Sequence, residues 1–142
     1  MNDPAIINEM LHNAQTIAVV GMSDKTWRAS HNIGHYLVMQ GYHVFPVNPA
    51  LSEVLGLKCY PDIESAYAAA QKDDPKGIDL VDVFRPSENV PPIVDDVIRL
   101  GIPYLWLQED VINDNAIARA RSAGVKCVQN VCIFREHAQR VG

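Results

Sequence analysis

Five short apolar runs, rich in β-branched residues and set apart by stretches of helical period, restrict this chain more than any other feature. They fall at residues 17–20, 42–47, 80–84, 104–107 and 126–128. Runs of this length without a polar alternation are what a strand buried on both faces of a parallel sheet requires. The intervening stretches carry helix signals. Asp3-Pro4 supplies a capping side chain and a proline at the first helical position, and Ile6, Ile7, Met10, Leu11 and Ala14 then share one face. Ser30 reads as the N-cap of a helix with Ile33 and Leu37 on one side and Gly41 at its end. Asp62 caps an alanine-rich helix to about Gln71, a further helix covers 90–100 before Gly101, another runs from Asn113 to Ala123, and a last one from Cys132 to Arg140. Strands alternating with helices imply right-handed βαβ units, hence an α/β fold with a parallel sheet. Pro46, which has no N–H to donate, makes the second strand either irregular or close to a sheet edge. Residues 50–61 show no clear period.

Such a sheet binds ligands beyond the carboxyl ends of its strands. The residues at those ends are Gly21, Met22 and Ser23, then Asn48 and Pro49, then Phe84 and Arg85, then Gln108 and Glu109. Gly21 lets the backbone turn sharply and approach a ligand without a Cβ in the way. The helix start that follows offers free N–H donors and the positive end of its dipole to a negative group. Lys25 and Arg28 in the same loop, with Arg85 after the third strand, add three cations at this mouth of an otherwise acidic chain of formal charge −5. That combination points to a ligand with several phosphates, although solvated surface charge competes as a reading of Lys25.

The same charge argues against broad nucleic-acid binding. No apolar run reaches the length of a membrane span. The first residues lack a basic segment leading into an apolar core, and the three cysteines have neither even number nor CxxC spacing. A single cytoplasmic domain over 1–142 is expected, with an N-terminal helix within 1–14 and a helical tail over 131–142. The dinucleotide fingerprint GxGxxG and the GK[ST] triplet are both missing, and Asn48-Pro49 stands where an NAD domain has its ribose-binding acid. His31 and His35 are four apart on a helix but have no third ligand, so no metal site is expected. Glu109 has no nucleophile–base–orienter set beside it, so no catalytic residue is assigned. Asp82 interrupts its strand and is expected to be hydrogen-bonded, because an unpaired buried carboxylate is costly. Cys132 falls near the rim, where a thiol can pair with another or simply be buried. Trp27 and Trp106 either cover a ligand or fill the core.

Several of these segments together resemble the small CoA-binding domain family, whose members are similar to the N-terminal domain of the succinyl-CoA synthetase α subunit. They are Val20-Gly21-Met22-Ser23 with Arg28-Ala29-Ser30 and Ile33, Pro46-Val47-Asn48-Pro49, Gly56-Leu57-Lys58-Cys59-Tyr60-Pro61, Val81-Asp82-Val83-Phe84-Arg85-Pro86 and Trp106-Leu107-Gln108-Glu109. The resemblance runs in order from about Ala14 to His137. It implies a Rossmann-like three-layer sandwich around a five-stranded, mostly parallel sheet. It also implies CoA or a short acyl-CoA held along the strand ends. By motif, Gly21 and Ser23 approach phosphate, supported by Arg28 and Ser30, with Lys25 in the same loop. Asn48 and Pro49 lie against the nucleotide end, and Lys58 reaches its phosphate. Phe84, Arg85 and Pro86 border the adenine or pantetheine path, and Gln108 and Glu109 lie toward the thiol. Met22 belongs to the binding turn but stands where the family has a small residue. The function so implied is a CoA-binding protein without catalysis of its own, alone, as a homo-oligomer or with a protein partner. The alternatives are a CoA-binding subunit of an acyl-CoA synthetase or transferase, and an NAD(P)-binding oxidoreductase domain.

Overall fold

The computed structural model describes residues 2–141, so Met1 and Gly142, the outermost residues of the expected N-terminal helix and C-terminal tail, lie outside it. In chain order the elements are α1 (Pro4–Asn13), β1 (Thr16–Val20), α2 (Ala29–Met39), β2 (His43–Val47), a small hairpin of β3 (Glu53–Val54) and β4 (Leu57–Lys58), α3 (Ile63–Asp73) and β5 (Leu80–Val83). A short 3₁₀ turn (Ser87–Asn89), α4 (Val90–Leu100), β6 (Tyr104–Leu107), α5 (Asp114–Ser122), β7 (Lys126–Val128) and α6 (Ile133–Arg140) complete it.

Five strands form one sheet in the order β2-β1-β5-β6-β7, and every neighbouring pair is parallel. β1, β5 and β6 are buried throughout, which is why their sequences are apolar without alternation. Alternate residues of each strand serve opposite layers. Ala18, Val20, Val81, Val83, Leu105 and Leu107 pack with α3, α4 and α5. Ile17, Val19, Leu80, Trp106 and Val128 pack with α1, α2 and α6. The expected three-layer α/β sandwich is therefore the fold. None of its helices among the described residues is long and apolar enough to cross a membrane.

β2 is the edge strand that Pro46 requires. Its outer side is covered by Tyr60, whose N–H donates to Pro46 O and whose carbonyl accepts from Asn48 N–H, both at 2.9 Å. The segment without a clear period is the β3–β4 hairpin that leads to this contact. Its turn uses Leu55 and Gly56, both at positive φ, and leucine is not a residue that announces such a turn.

Two expectations change. Ser30 does not cap α2. Arg28 holds the cap position, and Ser30 lies in the first turn with its hydroxyl turned toward the preceding loop. Asp82 is fully buried, and neither of its carboxylate oxygens has a hydrogen-bond partner among the described residues. It alternates with Val81 and Val83, so it shares the sheet face of Leu80, between Val19 and Trp106 of the neighbouring strands. Burial pushes its carboxyl well above the usual carboxylate range.

Candidate functional site

β1 leads to β2 on one side, and the chain then returns to place β5 on the other, so strand order reverses between β1 and β5. Reversal leaves a crevice at the strand tips, because the connections after the two strands leave toward opposite layers. Gly21 sits at that crevice with φ +86°, and its N–H donates to Val47 O at 2.8 Å. Phe84 N–H donates to Val20 O, also at 2.8 Å, so the three tips are tied together through backbone. A Cβ at Gly21 would stand 2.6 Å from Phe84 O. Both the backbone conformation and the space therefore demand glycine here.

From Gly21 the chain dips inward. The Met22 side chain is completely buried, and it fits because Gly34 of α2 has no Cβ: one there would lie 2.5 Å from Met22 Cε. The larger residue in the turn is thus accommodated in the core and does not narrow the crevice. The loop is held by side chains. Asn48 Nδ2 donates to Met22 O at 3.1 Å, and Ser23 N–H donates to Ser30 Oγ at 3.0 Å. His31 Nδ1–H donates to Ser23 O, and Lys25 N–H donates to Ser23 Oγ, each at 3.0 Å. Ser30 and His31 therefore fasten the loop to the start of α2. His35, one turn on, lines a separate groove with Tyr36, Met39 and Phe134. The described residues contain no group of three or more metal-ligating side chains placed to hold an ion.

These contacts frame a cavity of about 620 Å³. Gly21, Ser23, Asn48, Phe84 and Arg85 line it from three strand tips, and Lys25, Arg28 and Ser30 from the loop and the start of α2. First-turn helix amides have no intrahelical acceptor, so at Ala29 and Ser30 they present donors to this wall. Three cations face one carboxylate, Asp24, and among the described residues none of the three forms a salt bridge. Unpaired cations, first-turn amides and a glycine-only approach are the features that binding of an anion calls for.

The remaining candidates lie elsewhere. Lys58 is carried by the hairpin to a groove outside β2, with its ammonium 5.3 Å from the Tyr60 ring centre. Pro49 lines a small cavity of about 210 Å³ together with Arg85, whose side chain borders both spaces. Pro86 leads into the 3₁₀ turn. Gln108 is buried, and its Oε1 accepts from Ile133 N–H at 3.2 Å, holding the start of α6 against the β6 tip. Glu109 is engaged by Arg135 at 2.8 Å. Asp24, Ala50 and Leu51 also line the main cavity. Their only sequence signal is that they follow directly on strand tips. Trp106 is core, with Nε1–H donating to Val131 O, whereas Trp27 is exposed.

Comparison with known proteins agrees with this fold. A family model described as a CoA binding domain matches residues 15–138. The uncharacterized protein YneT of Bacillus subtilis (strain 168) is 34% identical over 134 residues, spanning 94% of this chain and 93% of that protein. A hypothetical protein from Pyrococcus horikoshii OT3 superimposes with a TM-score of 0.86 at 36% identity, covering 99% of this chain and 93% of that one. Acetate–CoA ligase [ADP-forming] II of Archaeoglobus fulgidus is 30% identical over 90 residues, which are 62% of this chain but only 12% of the ligase.

Proposed function

Because this chain belongs to the CoA-binding domain family, we propose that it holds coenzyme A or a short acyl-CoA in the cavity at the β1–β5 reversal, without carrying out chemistry of its own. The observation that carries this reading is the unpaired set Lys25, Arg28 and Arg85 around the Gly21 turn. CoA brings a diphosphate and a 3′-phosphate, which is more negative charge than a neutral-tipped sugar ligand needs. An acid after β2 would repel that 3′-phosphate. Asn48 stands there instead, with its amide on Met22 O. On this reading the diphosphate lies over Gly21 and the first turn of α2, with Arg28 and Arg85 on its two sides. The pantetheine arm then crosses Phe84 toward the β6 tip. Glu109, paired with Arg135, is assigned to holding α6 rather than to proton transfer. On this reading Pro49 and Pro86 shape the rim beside Arg85, Gln108 holds the start of α6, and Lys58, in the groove outside β2, needs a hairpin movement to touch phosphate.

A second reading has a specific observation behind it. The match to part of an ADP-forming acetate–CoA ligase fits a chain that supplies CoA binding to a larger assembly, which a stable partner recovered on purification would support.

Isothermal calorimetry tests the first reading. CoA and acetyl-CoA are expected to bind and NAD to bind far more weakly. Arg28→Ala and Arg85→Ala are each expected to weaken CoA by about tenfold or more, from the loss of a charged hydrogen bond of ~1.5–3 kcal/mol. No heat with either CoA ligand, from protein shown to be folded, would remove the proposal.

A further inference from the structure

Trp27 is 74% exposed, the most exposed large apolar side chain among the described residues. Most of its surface stays in solvent, so packing in the core does not account for a tryptophan at this position. Its place is informative. It lies between Lys25 and Arg28, both of which line the cavity, on a loop tightened by Arg28 N–H donating to Lys25 O at 3.0 Å. The Lys25 ammonium sits 5.7 Å from the centre of the indole ring, a cation–π contact that restrains the ring's orientation. A planar ring has two faces, and the high exposure leaves indole surface open beside the phosphate cradle.

We propose that Trp27 is the stacking platform for the purine of the bound cofactor, a specificity residue that selects nucleotide-bearing ligands. The inference rests on the reading of the cavity as a CoA site. The purine of CoA is joined through its ribose to the phosphates that Arg28 and Lys25 would hold, so it leaves the same cavity that this loop and Asn48 line, within reach of Trp27. Stacking of a base on an aromatic side chain is worth about tenfold in affinity, within a wide range, and it reads the flat ring rather than a hydrogen-bond pattern. Lys25 then serves both partners, because its ammonium lies near the indole while the residue lines the cavity.

The test uses the two halves of the cofactor. CoA, adenosine 3′,5′-bisphosphate and 4′-phosphopantetheine are titrated into wild-type protein, Trp27→Ala and Trp27→Phe, with thermal melts to show that each variant is folded. The expected result is a roughly tenfold loss for CoA and for the bisphosphate in Trp27→Ala, near-complete recovery in Trp27→Phe, and no change for 4′-phosphopantetheine. Trp106 is buried in the core, so quenching of tryptophan emission by the purine-bearing ligands is expected in the wild type and lost in Trp27→Phe. CoA binding at full strength to Trp27→Ala overturns the stacking role and leaves the CoA site standing. Equal weakening of all three ligands also overturns it, because that marks a general distortion of the loop. No binding of CoA to the wild type overturns the reading of the site itself, and this inference with it.

Discussion

Gly21→Ala is expected to destabilise the protein by roughly 3 kcal/mol and to remove most of its affinity for CoA. The stability loss has two sources that can be separated. One is the left-handed backbone, φ +86°, which costs a residue with a Cβ about 1–2 kcal/mol. The other is contact: the new Cβ would lie 2.6 Å from Phe84 O, a backbone atom that cannot swing aside as a flexible side chain does. Relief comes only by moving the tip of β5 away from β1, which widens the crevice where the diphosphate is proposed to sit. Gly41→Ala is the control. Gly41 also has positive φ, +93°, but nothing lies within 4 Å of its would-be Cβ. It is expected to cost only the strain of about 1 kcal/mol and to leave CoA affinity unchanged. Urea unfolding and calorimetry on both variants provide the check, and equal effects at the two glycines would contradict the close-approach argument.

Asp82→Val is expected to stabilise the protein near neutral pH by about 2 kcal/mol or more. The carboxyl is completely buried, and neither oxygen finds a partner among the described residues. Desolvation raises its pKa well above the ordinary value, while in the unfolded chain it ionises near pH ~3.9. The folded state therefore binds the extra proton. Its contribution to stability is fully present below the unfolded pKa and is lost as pH rises, with a slope approaching ~1.4 kcal/mol per unit. The loss begins at about pH 4 and continues until the folded carboxyl itself ionises. Glu9 and Asp62 act in the opposite sense, because hydrogen bonds from Lys126 and from Ser65 lower their pKa values. Only the difference between wild type and variant isolates Asp82. Urea titrations from about pH 4.5 upward are expected to show a gap that widens with pH until the folded carboxyl ionises and is level beyond that. A constant gap, or a less stable Asp82→Val at pH 7, would mean that the carboxyl is satisfied after all.

Asp82 also shows where sequence reasoning stops. Its place in a buried strand is legible from the apolar residues beside it, and the rule that buried carboxylates find partners then points the wrong way. Ser30 fails differently. A serine at the start of an amphipathic stretch fits a cap, but its hydroxyl is needed by Ser23 N–H across the loop, and that demand is tertiary. The β3–β4 hairpin is hidden because two-residue strands are too short to show alternation and its turn begins with leucine. Met22 is legible only as an anomaly until Gly34 is seen to make room for it. By contrast, β6, β7 and α4 are plain in the sequence, since each is bounded by glycine, proline or a change of period. The rim follows from them. Once five parallel strands are ordered by right-handed connections, Gly21, Asn48 and Arg85 must gather at one end, and all three line the same cavity. Lys58 could not be placed that way, because a hairpin off the sheet edge obeys no such rule.

The tips of β1, β2 and β5 are proposed to form the phosphate site of a CoA-binding protein. A crystal structure of the protein grown with CoA examines it most directly. The diphosphate is expected over Gly21, between Arg28 and Arg85, with the pantetheine arm crossing Phe84 toward the β6 tip. Cofactor seated instead in the groove of Lys58 and Tyr60, or away from the strand tips altogether, would contradict it.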